Sequence, residues 1–154
     1  MRKIAIAFAA VLMAASANAQ TKSPGAFNAA FPCAVQKAAN GIKSITAWCV
    51  NADGAFRVDV SINAPSTSDE DAFKAASDAI GKDIGALPRQ QREIVRNGLK
   101  GHEIITDIPG QAFIERDQLW IINGFLYRVG YTGSTGKETG KIATDFLDSF
   151  SVAP

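Results

Sequence analysis

The chain has 154 residues, 47% hydrophobic and 20% charged, with a formal net charge of +1. That length and apolar content suit one ordinary domain with a real core. A charge near zero without blocks of one sign leaves no electrostatic footprint for nucleic acid or an anionic membrane surface.

Met1-Arg2-Lys3 precedes an uncharged apolar run over residues 4–15, and Ala17-Asn18-Ala19 is a small-x-small cleavage pattern. Residues 1–19 therefore read as a secretory signal peptide and residues 20–154 as a single domain. The apolar run is well short of the roughly 20 residues needed to span a bilayer. No membrane insertion is expected once the leader is removed, and the protein is expected to be periplasmic or secreted. The leader carries two of the sixteen basic residues, so the mature chain stays near neutral.

Phe27, Ala29, Phe31 and Cys33 alternate as a first strand, with Pro32 near its end marking an edge. Asn40-Gly41 is a hairpin turn that sets Cys33 opposite Trp48, one position from Cys49. In an oxidising compartment such a pair reads as a disulfide, Cys33–Cys49, which chain entropy values at about 3 kcal/mol. Residues 45–50 form the second strand. After the Asn51-Ala52-Asp53-Gly54 turn, Phe56, Val58, Val60 and Ile62 alternate with Arg57, Asp59 and Ser61 in a third strand that buries one face.

The pattern breaks over residues 63–67. Ser68 then caps a helix whose first turn holds Asp69, Glu70 and Asp71 against the positive end of the dipole. Phe73, Ala76, Ile80, Ile84 and Leu87 recur at helical spacing until Pro88. A second hairpin follows, with arms over residues 93–96 and 102–107 and Asn97-Gly98 between them. The third hairpin has arms over residues 112–122 and 125–132 and turns at Asn123-Gly124. A type I′ turn needs φ > 0 at both central residues, which this dipeptide supplies. Folding there puts Trp120, Ile122, Phe125 and Tyr127 on one face and Leu119, Ile121 and Leu126 on the other. A hairpin apolar on both faces must be covered on both. Thr135 with Glu138 forms a capping box for a last helix, whose stripe is Ile142, Ala143, Phe146, Leu147 and Phe150.

The element order is β-β-β-α-β-β-β-β-α. It defines an α+β fold in which an antiparallel sheet of six to seven strands carries a helix on each face, an α/β/α sandwich. The segments FNAAFPC (27–33), GLKGHEI (98–104), Leu126-Tyr127 and DFLDSFSV (145–152) resemble small exported bacterial proteins of the PsbP/Mog-type sandwich. The resemblance implies that Phe146, Leu147 and Phe150 anchor the last helix and that Gly101 permits a tight start to its strand. It also implies a binding or assembly role.

No catalytic, cofactor or metal site is expected. Gly130 to Thr139, GYTGSTGKET, imitates a phosphate loop, but Tyr131 replaces the first Gly and Glu138 the magnesium-holding hydroxyl. His102 is the sole histidine, and no nucleophile motif surrounds Ser134 or Ser149, while Asp107 and Asp145 are unremarkable as its partners. Asp145 and Asp148 lie on a solvated helix face, the acidic triplet is a cap, and Trp120 and Tyr127 read as sheet packing. Trp48, on an outer strand, is the better source of an exposed patch. The chain is thus expected to be a non-enzymatic exported binding or assembly module engaging a protein partner. The alternative is a small-ligand or lipid carrier with an apolar cleft between helix and sheet. Intact mass of the exported protein, with and without reductant, should show a chain starting at Gln20 with both thiols consumed. Free thiols at Cys33 and Cys49 would refute the disulfide.

Overall fold

The computed structural model describes residues 26–39, 44–62 and 68–152; the expected leader, the Asn40-Gly41 turn and the break at 63–67 fall outside them. In chain order the elements are β1 (Phe27–Asn28), β2 (Gln36–Ala39), β3 (Ser44–Asn51), β4 (Gly54–Ile62) and α1 (Asp69–Ile84). They continue with β5 (Gln90–Arg96), β6 (Leu99–Asp107), β7 (Phe113–Ile122), β8 (Phe125–Ser134), α2 (Lys141–Ser149) and β9 (Ser151–Val152).

Asn123 and Gly124 both adopt left-handed φ, 54° and 81°, which shapes the turn to the right-handed twist of its arms. Ile122 then lies opposite Phe125, Ile121 opposite Leu126 and Trp120 opposite Tyr127, as the sequence predicts. Asn97 and Gly98, at 50° and 78°, make the equivalent turn between β5 and β6. The main sheet is antiparallel throughout, in the order β2-β3-β4-β8-β7-β6-β5. The Asn123-Gly124 hairpin therefore occupies its centre.

Each face of that hairpin packs under its own helix. Phe73 and Ile80 of α1 join Ile104 and Leu119, with Ile121 and Leu126 at the margin. Ala143, Phe146 and Leu147 of α2, with Phe150, join Trp120, Phe125, Tyr127, Val129 and the β4 row Phe56, Val58 and Val60. Fully burying one such side chain contributes about 1.5–3 kcal/mol, so the α2 side supplies most of the core. Ser68 caps α1, its Oγ accepting from the Asp71 amide at 3.2 Å.

Several local expectations are corrected. Residues 27–33 are not one strand of the sheet. Phe27–Asn28 pairs with β9 in a separate two-stranded ribbon, and the following residues run along α2. Phe31 packs on Phe146 at 5.0 Å, Phe27 on Phe150 at 6.3 Å, and the Ala30 amide donates to Ser149 Oγ at 2.8 Å. The alternation of Phe27, Ala29 and Phe31 thus serves contact with the core; Pro32 has no N–H to offer a ladder. The edge strand is β2, and Gln36, not Cys33, lies opposite Trp48. Cys33 precedes that strand and bonds to Cys49, with Cα atoms 5.7 Å apart.

Helix α1 stops at Ile84 because Gly85 takes a left-handed cap at φ 77°. Leu87 lies beyond it and is 90% exposed. Helix α2 begins at Lys141 after Gly140, and no side chain caps it. β8 runs on to Ser134, and Glu138 instead accepts from the Gly136 amide at 2.7 Å. Ile142 is exposed while Ala143, Phe146 and Leu147 are buried.

Leu119 is fully buried whereas Leu126 is half-buried. In urea denaturation, Leu119→Ala should cost about 2–5 kcal/mol and Leu126→Ala clearly less. Equal costs would show that α1 does not cover the hairpin as described.

Candidate functional site

The residues that a catalytic reading would enlist are tied up elsewhere or apart. His102 stacks on Phe73 of α1, ring centroids 4.4 Å apart and 21° from parallel. It shares a groove with Ser77, Asp78 and Ile104. Ser77 Oγ is buried without a hydrogen bond, so the two do not form a nucleophile–base pair. Ser149 Oγ donates to the Phe146 carbonyl at 2.6 Å, Asp107 pairs with Arg89 at 3.1 Å and Asp145 pairs with Lys141. Asp148 is held by Arg96 at 2.6 Å, and Asp71 accepts from the Ser68 hydroxyl at 2.7 Å. Among the described residues, no three His, Cys, Asp or Glu side chains cluster as a metal would require. The glycine-rich segment after β8 is separated from α2 by a turn at Lys137 to Gly140, whose amide donates to the Lys137 carbonyl at 3.0 Å.

Two charge networks, not anticipated from the sequence, occupy the polar half of β7. On the α2 face, both Glu103 oxygens are engaged. Arg92 donates to Oε1 at 2.5 Å, Arg116 to Oε2 at 2.7 Å and Gln118 to Oε2 at 3.2 Å. Arg116 also donates to the Glu138 carbonyl and Thr144 Oγ1, stitching the sheet to α2. Burial alone would raise the Glu103 pKa, but the bonds from Arg116 and Gln118, the Arg116 charge and the Arg92 bond outweigh it and the pKa is lowered. On the α1 face, Glu115 takes Arg57 at 2.6 Å and Arg128 at 2.8 Å, while Arg128 also holds Asp117 at 2.8 Å. Burial, aided by the Asp117 charge, raises the Glu115 pKa against both arginines. Gly130 makes this possible, because a Cβ there would sit 2.6 Å from Asp117 Oδ1. Trp48, half-buried, lies on the same face opposite Arg57. These are structural networks in which each buried carboxylate faces at least one arginine.

The candidate site is at the hairpin end of the α2 face. Gly101 pairs with Trp120, and its missing side chain receives the indole: a Cβ would lie 2.6 Å from Trp120 Cε3. Gly101 lies inside β6, which starts at Leu99, so its role is to make room for the indole and not to open the strand. Arg96 lies over the indole, 5.0 Å from its centroid. The guanidinium is fixed by the Leu147 carbonyl at 2.9 Å, Gln118 at 3.1 Å and Asp148 at 2.6 Å. One row further out, Leu99, Ile122, Phe125 and Ile62 continue the apolar face to the sheet's end. Leu99 is 44% and Ile62 48% exposed. Between this row and the C-terminal segment lies a hollow of about 190 Å³, bounded by Arg96, Leu99, Trp120, Ile122, Phe150 and Val152. Trp120 and its cross-strand neighbour Tyr127 are almost wholly buried, yet Trp120 Nε1 and the Tyr127 hydroxyl have no hydrogen-bond partner. Burial raises the Tyr127 pKa, so its hydroxyl keeps its proton. The sequence places these two aromatics correctly as packing residues; their orphaned polar atoms depend on what surrounds them and have no local signal.

Comparison with protein-family profiles and with curated proteins gives no match. The fold is that of PsbP. The solution structure of cyanobacterial PsbP (CyanoP) from Synechocystis sp. PCC 6803 superposes with a TM-score of 0.61, covering 90% of this chain and 98% of that one at 8% identity. A Bacteroides thetaiotaomicron structure matches 83% of this chain and 45% of its own, at 16% identity and a TM-score of 0.46.

Glu103→Gln should destabilise the domain by about 3 kcal/mol at pH 7, because Arg116 is left buried beside an uncharged group. Glu103 has a lowered folded pKa. Its contribution is therefore complete above the unfolded value near 4.5 and is lost as pH falls through the folded value. Thermal unfolding from neutral to acid pH should show the variant's deficit shrinking on the acid side. A constant deficit would remove Glu103 ionisation from the account.

Proposed function

We propose that this protein is an exported, non-enzymatic binding module that engages a protein partner through the hairpin end of its α2 face. The observation that carries the reading is the apolar row of Leu99, Ile122 and Ile62, which leaves the core and reaches solvent beside the hollow. Isolated exposed apolar residues need no explanation, but a row continuous with a concave site marks an interaction surface. Export is supported by the leader-like N-terminus and by the Cys33–Cys49 bond, which suits an oxidising compartment.

The sheet edge is a poorer candidate. Gln90, Gln91, Arg92 and Glu93 are exposed along β5, and charged side chains on an edge discourage strand addition. The carrier alternative is weaker on lining. The space between α2 and the sheet is filled by Phe146, Leu147 and Phe150, and the groove of about 370 Å³ between α1 and the sheet is rimmed by Glu70, Asp71, Lys74 and Asp78 and is not an apolar cleft. Photo-crosslinking in the native envelope tests the reading. A crosslinking residue at position 99 should trap a protein, and one at position 75, exposed on α1, should not. A clean apo protein with no adduct at 99, or a co-purifying small molecule in native mass spectrometry, would contradict it.

A further inference from the structure

We propose that Glu115 is a proton-operated latch on the α1 face: in acid its carboxyl takes a proton from solvent, bonds to Thr106 Oγ1 and releases Arg57 to Asp59 beside Trp48. Asp59, Glu115 and Asp117 face only Arg57 and Arg128 in this cluster, so three carboxylates share two guanidiniums and one positive charge is missing. The shortage falls on Glu115. Arg128 grips Asp117 with two bonds, at 2.8 and 3.2 Å. Glu115, its side chain 7% exposed, takes what is left, Oε1 accepting from Arg57 at 2.6 Å and from Arg128 at 2.8 Å. A proton on Glu115 leaves two one-to-one pairs, Arg128 with Asp117 and Arg57 with Asp59.

Both new partners are in place. Thr106 lies directly opposite Glu115 in the β6–β7 ladder, and its fully buried hydroxyl has no hydrogen-bond partner. Opposed Cβ atoms in such a ladder are roughly 4.5–5.5 Å apart, so the carboxyl reaches Oγ1 by turning away from Arg57. Arg57 Nε is also buried without a hydrogen bond, and Asp59 Oδ2 lies 3.5 Å from it. Helix α1 turns Phe73 and Ile80 to the sheet and pairs its Lys74 with Asp78 internally. His102, four residues along β6 from Thr106, is stacked on Phe73. Burial and the Asp117 charge raise the Glu115 pKa against both arginines, so the latch responds to milder acid than an ordinary glutamate would. On β3 and β4 this face carries half-buried Trp48, Arg57 and Asp59. The proton therefore changes the charge and shape of a surface that solvent reaches.

The test follows the side-chain carboxyl ¹³C signals and the indole N–H of Trp48, assigned with Trp48→Phe, from neutral to acid pH in the disulfide-bonded protein. Glu115 should titrate above the ordinary glutamate value of 4.5, and the Trp48 signal should shift with the same midpoint. Thr106→Val should lower that midpoint, because the neutral carboxyl loses its acceptor. In Glu115→Gln the Trp48 shift should be lost. Ionised Glu115 costs stability above its folded pKa, and the cost is relieved as pH falls through that value. In urea at neutral pH, Glu115→Gln should therefore be at least as stable as the parent, since Arg128 keeps Asp117 and Arg57 keeps Asp59. The proposal is overturned by a Glu115 carboxyl titrating at or below the ordinary value, or by a midpoint unchanged in Thr106→Val. It is equally overturned by a Trp48 signal that stays still or that still shifts in Glu115→Gln, or by a Glu115→Gln protein less stable than the parent.

Discussion

The register of the β7–β8 hairpin is the constraint on which the rest of the molecule depends. Side chains along a strand alternate between faces, so a slip of one residue would exchange every inward group for an outward one. Asn123 and Gly124, both left-handed, fix that register at the turn. From it follow the split of Trp120, Phe125 and Tyr127 toward α2 and of Leu119 and Leu126 toward α1. The same register carries Gln118 and Arg116 under α2 beside Glu103, and Asp117 and Glu115 to the other face beside Arg128. One turn thus sorts the apolar contacts and the buried charges together.

This sorting explains an odd property of β7, a central strand with four polar residues in succession, Glu115 to Gln118, all buried. A central position ordinarily demands apolar side chains on both faces. Here each buried charge meets a partner from a neighbouring strand. Arg116 meets Glu103 of β6, and Asp117 and Glu115 meet Arg128 of β8. Removing either partner of such a pair is costly, whereas the intact pair adds little net stability. The networks work as locks: Arg116 and Arg96 join the sheet to α2 through Thr144 Oγ1 and the Leu147 carbonyl. That lock also holds Arg96 over Trp120, which shapes the hollow.

Most short-range signals are legible, although the Thr135–Glu138 capping box is not, since Glu138 accepts from the Gly136 amide and α2 starts uncapped after Gly140. Asn123-Gly124, Asn97-Gly98 and the Ser68 cap are short-range signals, and each element they announce is present. The apolar stripe of α2 and the two apolar faces of the hairpin identify the sandwich because two amphipathic helices are available to cover them. What is illegible depends on distant partners. Phe27, Ala29 and Phe31 alternate like a strand, yet their contacts are Phe146 and Phe150, more than a hundred residues away. The Glu115 to Gln118 run could have signalled buried ion pairs, since polar residues in a doubly covered strand need partners, but the identity of Glu103 and Arg128 as those partners requires the register of three strands. The hollow is less legible still. It arises where Leu99, Trp120 and Val152 meet from three separate segments, and no spacing announces it.

Native-state amide hydrogen exchange tests the central role of the hairpin most directly. The amides of Leu119, Ile121, Tyr127 and Val129 should exchange only through global unfolding, with free energies equal to the denaturant-derived stability. Those of the edge strands β2 and β5 should open earlier. Hairpin amides that exchange as readily as the edges would contradict the account, because the fold would then be organised around some other pair of strands.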